Sequence, residues 1–211
     1  DQALEIETRL NGPKSEGLTV ILLSLADLQS AQEQHDVTFA LLQRARALPL
    51  DTLGAHREIY IRILDALGKT YAANGRPTEA IATLQNALLL CKPDWGQSNP
   101  LRGQCLLDLG NCQIDLGDNP AAELSLQSAR ACFPGAPANQ AGIVNSLALV
   151  LRYRGRSREA ADSFLVAYNL YLRARASIPS LSNLRASAGV CMNLGSAYLD
   201  QRAFPGALFY F

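Results

Sequence analysis

The chain has 211 residues, 48% of them hydrophobic, with 19 basic side chains against 19 acidic ones. A formal net charge of zero excludes a general attraction for nucleic acid or anionic lipid, and so much apolar content excludes a disordered chain. The most apolar stretch, "LTVILLSLADL" from Leu18 to Leu28, is well short of the roughly 20 residues that cross a bilayer, and it contains Asp27, so no membrane insertion is expected.

Taken in order, apolar residues at helical spacing predict a first partial helix near 1–10. Helix pairs follow near 15–31 and 36–48, 56–73 and 77–91, 101–116 and 119–132, 140–153 and 157–176, and 184–201 and 204–211. Turn residues mark the breaks within pairs. Asn74-Gly75 precedes Arg76-Pro77, where proline suits a first helical turn, and Gly117-Asp118-Asn119-Pro120 repeats the design. Gly155-Arg156-Ser157 does the same with serine as the cap. Between pairs, "KPDWGQSNP" (92–100), "FPGAPANQ" (133–140) and "RASIPSLSN" (175–183) read as Pro-, Gly- and Ser-rich connections.

A repeat runs through these pairs. Gly68 is followed by Gly75, Ala80, Leu84 and Ala87 at offsets of seven, twelve, sixteen and nineteen. The same offsets yield Gly110, Gly117, Ala122, Leu126 and Ala129, and then Ala148, Gly155, Ala160, Phe164 and Ala167. Gly195, Ala207 and Phe211 continue the series with Arg202 in place of the middle glycine, and Ala26, Thr38, Leu42 and Ala45 fit it upstream. A glycine inside a helix costs roughly 1 kcal/mol relative to alanine, so Gly68 needs a packing reason. The expectation is a close helix crossing at which Gly68 faces Ala80, while Leu84, Leu126, Phe164 and Phe211 fill the groove toward the next helix.

Leu64, Leu67, Gly68, Tyr71, Ala80 and Leu84, and again Leu106, Leu109, Gly110, Ala122, Leu126 and Pro134, resemble the tetratricopeptide repeat pattern W-x2-L-G-x2-Y, A-x3-F, P. The spacing near 42 residues resembles the expanded repeats of kinesin light chains and related arrays, although the usual His-Pro pair of the loop is replaced by Asn99-Pro100. The resemblance implies an all-α fold, a right-handed solenoid of stacked antiparallel helix pairs. Its units would be a partial repeat at 1–10 and repeats at about 15–50, 56–92, 101–134, 140–176 and 184–211 in one domain. A start at Asp1 and truncated repeats at both ends lead to the expectation of a fragment of a longer array.

No catalytic constellation can be assembled. His35 and His56 stand apart in sequence and read as solvated; no phosphate-binding glycine loop occurs; serines lack a plausible base. Five cysteines without paired close spacing suggest reduced, buried thiols, and Cys105 and Cys112 share a helix face as small hydrophobes, so no metal, cofactor or disulfide is expected. Their reduced state, with no Asn-x-Ser/Thr acceptor and no signal peptide, favours a cytoplasmic location. "RYRGRSRE" (152–159) reads as solvated charge at a turn rather than a nucleic-acid patch, and Trp95 as a loop residue packed on a neighbouring repeat.

The repeat resemblance implies a concave face lined by the first helix of each pair. Positions there that avoid the packing slots are Arg62, Asp65 and Lys69; Gln104, Asp108, Asn111 and Asp115; Asn145, Ser146 and Arg152; and Asn193, Ser196 and Asp200. In kinesin-like arrays, asparagines before the Leu-Gly or Leu-Ala pair hold an extended peptide backbone; Asn145 and Asn193 occupy comparable slots, whereas Asp65 and Asp108 depart from the pattern. Asp65 also stands where the carboxylate clamp of some cochaperones resembles a lysine, so an acidic C-terminal tail does not suit this chain. The expectation is a non-catalytic scaffold for a peptide or helical segment of a partner protein. The alternative is a sensor segment of a larger switch ATPase or caspase-like protease with catalysis elsewhere.

Overall fold

The computed structural model describes residues 2–13, 15–49, 54, 56–91, 98–177 and 180–211. Trp95 lies outside them. Among the described residues there are helices and no strand: α1 (Gln2–Asn11), α2 (Glu16–Ala31), α3 (His35–Arg46), α4 (Arg57–Ala73), α5 (Pro77–Leu90), α6 (Pro100–Asp115), α7 (Asn119–Ala131), α8 (Pro137–Tyr153), α9 (Ser157–Ser177), α10 (Leu181–Asp200) and α11 (Phe204–Tyr210). The fold class is all-α, as the periodicity predicts. Two connections are shorter than expected. Helix α8 starts at Pro137, because proline fits the first turn, and α10 starts at Leu181, because Ser180 caps it by accepting a hydrogen bond from the Asn183 amide at 3.1 Å. Ser157 is the first residue of α9 rather than its cap.

The chain divides into two compact units. The first comprises 1–96 with 104–112, and the second 97–103 with 113–211. In the first unit each helix from α1 to α5 packs on its successor, and α2 also touches α4. Leu22, Ala26, Leu42, Ala45, Ile63 and Leu67 form one core; Ala80 and Leu84 of α5 close on Leu109 and Cys112 of α6. In the second unit each helix from α7 to α10 packs on its successor and α8 also touches α10, with Phe164 of α9 buried against Val190 and Leu194.

Each helix pair turns through one residue in the left-handed backbone region. Gly75 (φ 69°), Gly117 (φ 82°) and Gly155 (φ 76°) take that conformation, and so do Glu33 (φ 59°) and Arg202 (φ 57°). The residue after each donates its amide back five positions: Gln34 to Gln29, Arg76 to Tyr71, Asp118 to Gln113, Arg156 to Leu151 and Ala203 to Tyr198, all within 2.8–3.0 Å. This is the Schellman closure of a helix C-terminus, which satisfies otherwise orphaned carbonyls and reverses the chain. A Cβ at Gly75 would meet nothing within 4 Å, so glycine is used there for backbone conformation alone.

Gly68 has the other reason. A Cβ there would stand 2.6 Å from Cγ of Leu84, a side chain that is itself fully buried. The residue packed over Gly68 is thus Leu84, sixteen positions on, and not Ala80 as expected: Ala80 is small because it is wedged in the core with Leu84, Leu109 and Cys112. Gly195 repeats the relation with the Phe211 ring at 3.0 Å, and Gly103 admits the Cys132 and Phe133 side chains at 2.6 Å.

Gly68→Ala should therefore lower stability by about 1–3 kcal/mol by overpacking, although alanine is the better helix former. A thermal or denaturant melt checks this, and the loss should shrink in a Leu84→Ala background. Glu33→Gly should act in the opposite direction, stabilising by about 1 kcal/mol by relieving a left-handed non-glycine residue.

Candidate functional site

The polar residues of the first helices gather into two clusters, one in each unit. In the first, Asp65 and Lys69 are a helical turn apart on α4, and Gln104 and Asp108 are a turn apart on α6. Lys69 Nζ lies 3.1 Å from Asp65 Oδ2 and 4.0 Å from Asp108 Oδ2, while Gln104 Nε2 donates to Asp108 Oδ2 at 2.9 Å. Asp65 is only 5% exposed, and its Oδ1 is buried with no hydrogen-bond donor placed on it. Burial, reinforced by Asp65, pushes Asp108 up to about 7, against the opposing pull of Lys69 and Gln104. Burial acts to lower Lys69, but Asp65, Asp108 and Asp27 outweigh it and hold the ammonium above its usual range. The buried Cys105 thiol beside Asp65 is pushed far up, first by desolvation and then by Asp65, so it is an inert thiol.

In the second unit, Asn193 Nδ2 on α10 donates to Asn145 Oδ1 on α8 at 3.0 Å. Two turns farther along the same helices, Arg152 Nε meets Asp200 Oδ2 at 2.6 Å. The remaining candidates do not join these clusters in the same way. Ser146 is buried at 4% exposure, Ser196 donates to the Met192 carbonyl of its own helix, Arg62 and Asp115 are exposed, and Asn111 is half-buried.

Other readings of the sequence can be placed as well. Three of the four arginines of the 152–159 stretch meet carboxylates, Arg152 with Asp200, Arg154 with Glu123 at 2.7 Å, and Arg156 with Glu159. His56 is not simply solvated, because its Nε2 lies 3.1 Å from Glu16 Oε2. Cys105 and Cys112 are buried as small hydrophobes. Among the described residues no group of three or more His, Cys, Asp or Glu side chains is arranged to hold a metal ion, and no helix is long and apolar enough to cross a membrane. Two relations in the first cluster escaped the sequence reading, the place of Cys105 beside Asp65 and the pull of Asp27 on Lys69. Asp27 had a usable signal: it follows the small-residue slot at Ala26 as Lys69 follows Gly68.

The position of Asp108 fixes a pH dependence. Its carboxyl titrates higher in the folded chain than the usual 3.8, so the folded state binds more protons across the window up to about 7, and stability falls as pH rises through that window. Asp108→Asn should flatten this fall and melt higher than the parent at about pH 8, with little difference at low pH where both side chains are neutral. Melting curves with the same pH dependence for both proteins would contradict the burial of a strained carboxylate.

Residues 59–134 match the family model described as tetratricopeptide repeat. Among curated proteins none matches this chain in sequence. Among solved structures, BtubC (BKLC) from P. vanneervenii is similar over 99% of this chain and 84% of its own, at 18% identity and a TM-score of 0.74. The kinesin light chain TPR-like repeats of Podosopora anserina are similar over 93% of both chains, at 17% identity and a TM-score of 0.67. YrrB, described as a TPR protein with an unusual peptide-binding site, is similar over 99% of this chain and 88% of its own, at 17% identity and a TM-score of 0.54. Residues 59–134 thus match the tetratricopeptide repeat model, and over nearly its whole length the chain is similar in fold to solved repeat arrays that include the kinesin light chain TPR-like repeats.

Proposed function

We propose that the protein is a non-catalytic scaffold that binds a peptide or helical segment of a partner protein on the polar faces of its first helices. The observation that carries this reading is the Asn145–Asn193 bridge between α8 and α10. The shared bond uses one acceptor and one donor, so the pair still has Asn193 Oδ1 as an acceptor and, as donors, the second hydrogen of Asn193 Nδ2 and both hydrogens of Asn145 Nδ2. That is the complement a peptide backbone needs, a carbonyl to be met and an amide to be received. The bridge itself restrains both amides in advance, which reduces the ordering cost of binding. Arg152 and Asp200 bracket one end of the same surface and neutralise each other, so that neither imposes a net charge on the bound segment there. Helix pairs with a segment-binding inner face are the usual use of such repeats, and the structural similarity to YrrB, with its peptide-binding site, points the same way.

Random-sequence peptide arrays probed with the full chain should yield binders. Asn145→Ala and Asn193→Ala should each weaken the best of them by about tenfold, the effect of losing one well-placed hydrogen-bonding group from a bound backbone. Peptides bound equally well by both variants would remove this surface from the account.

A further inference from the structure

The second unit holds a cavity of about 290 Å³ between α7, α8 and α9. Its wall is aliphatic, formed by Val144, Leu147, Val150 and Leu151 of α8. Val150 is buried and the other three are half-buried. At about 3.6 residues per helical turn, all four lie at least about 100° around α8 from Asn145, so the cavity is separate from the surface that carries the Asn145–Asn193 bridge.

The polar lining is Glu123, Gln127 and Arg130 of α7, Arg154 in the turn after α8, and Ser163 of α9. Its charges do not cancel. Glu123 meets Arg154 at 2.7 Å, accepts a hydrogen bond from Gln127 Nε2 at 3.4 Å, and also acts on Arg156, which is paired with Glu159. Among the described residues no carboxylate lies on the Arg130 guanidinium. The Arg130 carbonyl accepts from Gln140 Nε2 at 3.2 Å, a bond that ties the end of α7 to α8 and fixes the backbone from which this side chain extends. Ser163 Oγ gives its proton to the Glu159 carbonyl at 2.9 Å and adds no charge. Two arginines therefore share one carboxylate, and the surplus is a guanidinium with free N–H donors.

We propose that this cavity binds a small aliphatic carboxylate. An apolar wall with a few polar groups that orient the ligand is the make-up of a small-molecule site, and the volume matches the lower end of the usual range, about 300 Å³. The hydrocarbon body of the ligand lies along Val144, Leu147 and Leu151. Its carboxylate accepts from Arg130, whose planar fork of N–H groups matches two carboxylate oxygens. A cationic ligand is repelled by Arg130 and Arg154, and a neutral one leaves the Arg130 fork unmet. Glu123 opposes the ligand and occupies Arg154, so it limits the affinity. The same chemistry is carried by a short-chain fatty acid and by a leucine at the end of a protein chain.

The test is a titration of the full chain with hexanoate and, separately, with N-acetyl-leucine, followed by the methyl carbon signals of Val144, Leu147 and Leu151. Hexanamide and N-acetyl-leucinamide are the neutral controls. At least one carboxylate should move the three methyl signals, and the tighter of the two identifies the source. Arg130→Gln should weaken that binding by about tenfold, the effect of losing one charge-assisted partner. Glu123→Gln should strengthen it by about threefold, because a like charge is removed from beside the ligand. Arg130 is exposed, so Arg130→Gln should melt with the parent. Methyl signals unmoved by both carboxylates, moved equally by the neutral amides, or moved with unchanged affinity in Arg130→Gln would overturn the proposal. Asn145→Ala and Asn193→Ala should leave carboxylate binding as it is. Failure here therefore leaves the peptide reading to its own test, and failure there leaves this result standing.

Discussion

One backbone constraint organises the fold: the residue seven places after each small-residue slot must adopt a left-handed conformation so that the following amide can close the helix behind it. Five turns obey it, at Glu33, Gly75, Gly117, Gly155 and Arg202. The reversal brings the second helix back over the first, and the slot residue then has to be small because the side chain sixteen places on lies over it. Gly68 under Leu84 and Gly195 under Phe211 are the same contact in different units. Glycine thus recurs for two unrelated reasons. At Gly75 it is needed for a backbone angle with open space around it, and at Gly68 for an ordinary helical angle in crowded space.

This division explains what was legible in the sequence. Helix spans and fold class could be read because the slots repeat at fixed offsets and because proline marks starts such as those of α5 and α7. The left-handed turns at Glu33 and Arg202 could not be read from residue type, since neither side chain advertises that conformation; only alignment with Gly75 and Gly117 exposes them. The partner of Gly68 was misjudged for a related reason. Offsets along a helix give the face on which a residue lies but not which turn of the opposing helix covers it, and Leu84 lies where Ala80 was expected. At the candidate site, first-helix register singled out Asp65, Lys69, Gln104 and Asp108, four side chains that lie in contact with one another. It did not reveal that Asp65 is buried or that Ser146 belongs to the interior, because burial depends on neighbouring helices.

The two polar clusters differ in chemistry. In the second unit, Asn145 with Asn193 and Arg152 with Asp200 are internally matched, which suits recognition of a neutral backbone without regard to sequence. In the first, Lys69 lies between the Asp65 and Asp108 carboxylates and Gln104 donates to Asp108. Burial of the first cluster has a cost at Asp108, whose carboxyl is held up to about 7 by burial and by Asp65.

The most direct measurement of the central claim, that first-helix faces receive the partner, is backbone hydrogen exchange on the full chain with and without the tightest peptide from a random array. Protection should appear in α4, α6, α8 or α10 and leave the second helices α5, α7 and α9 unchanged. Protection confined to α5, α7 and α9 would contradict it.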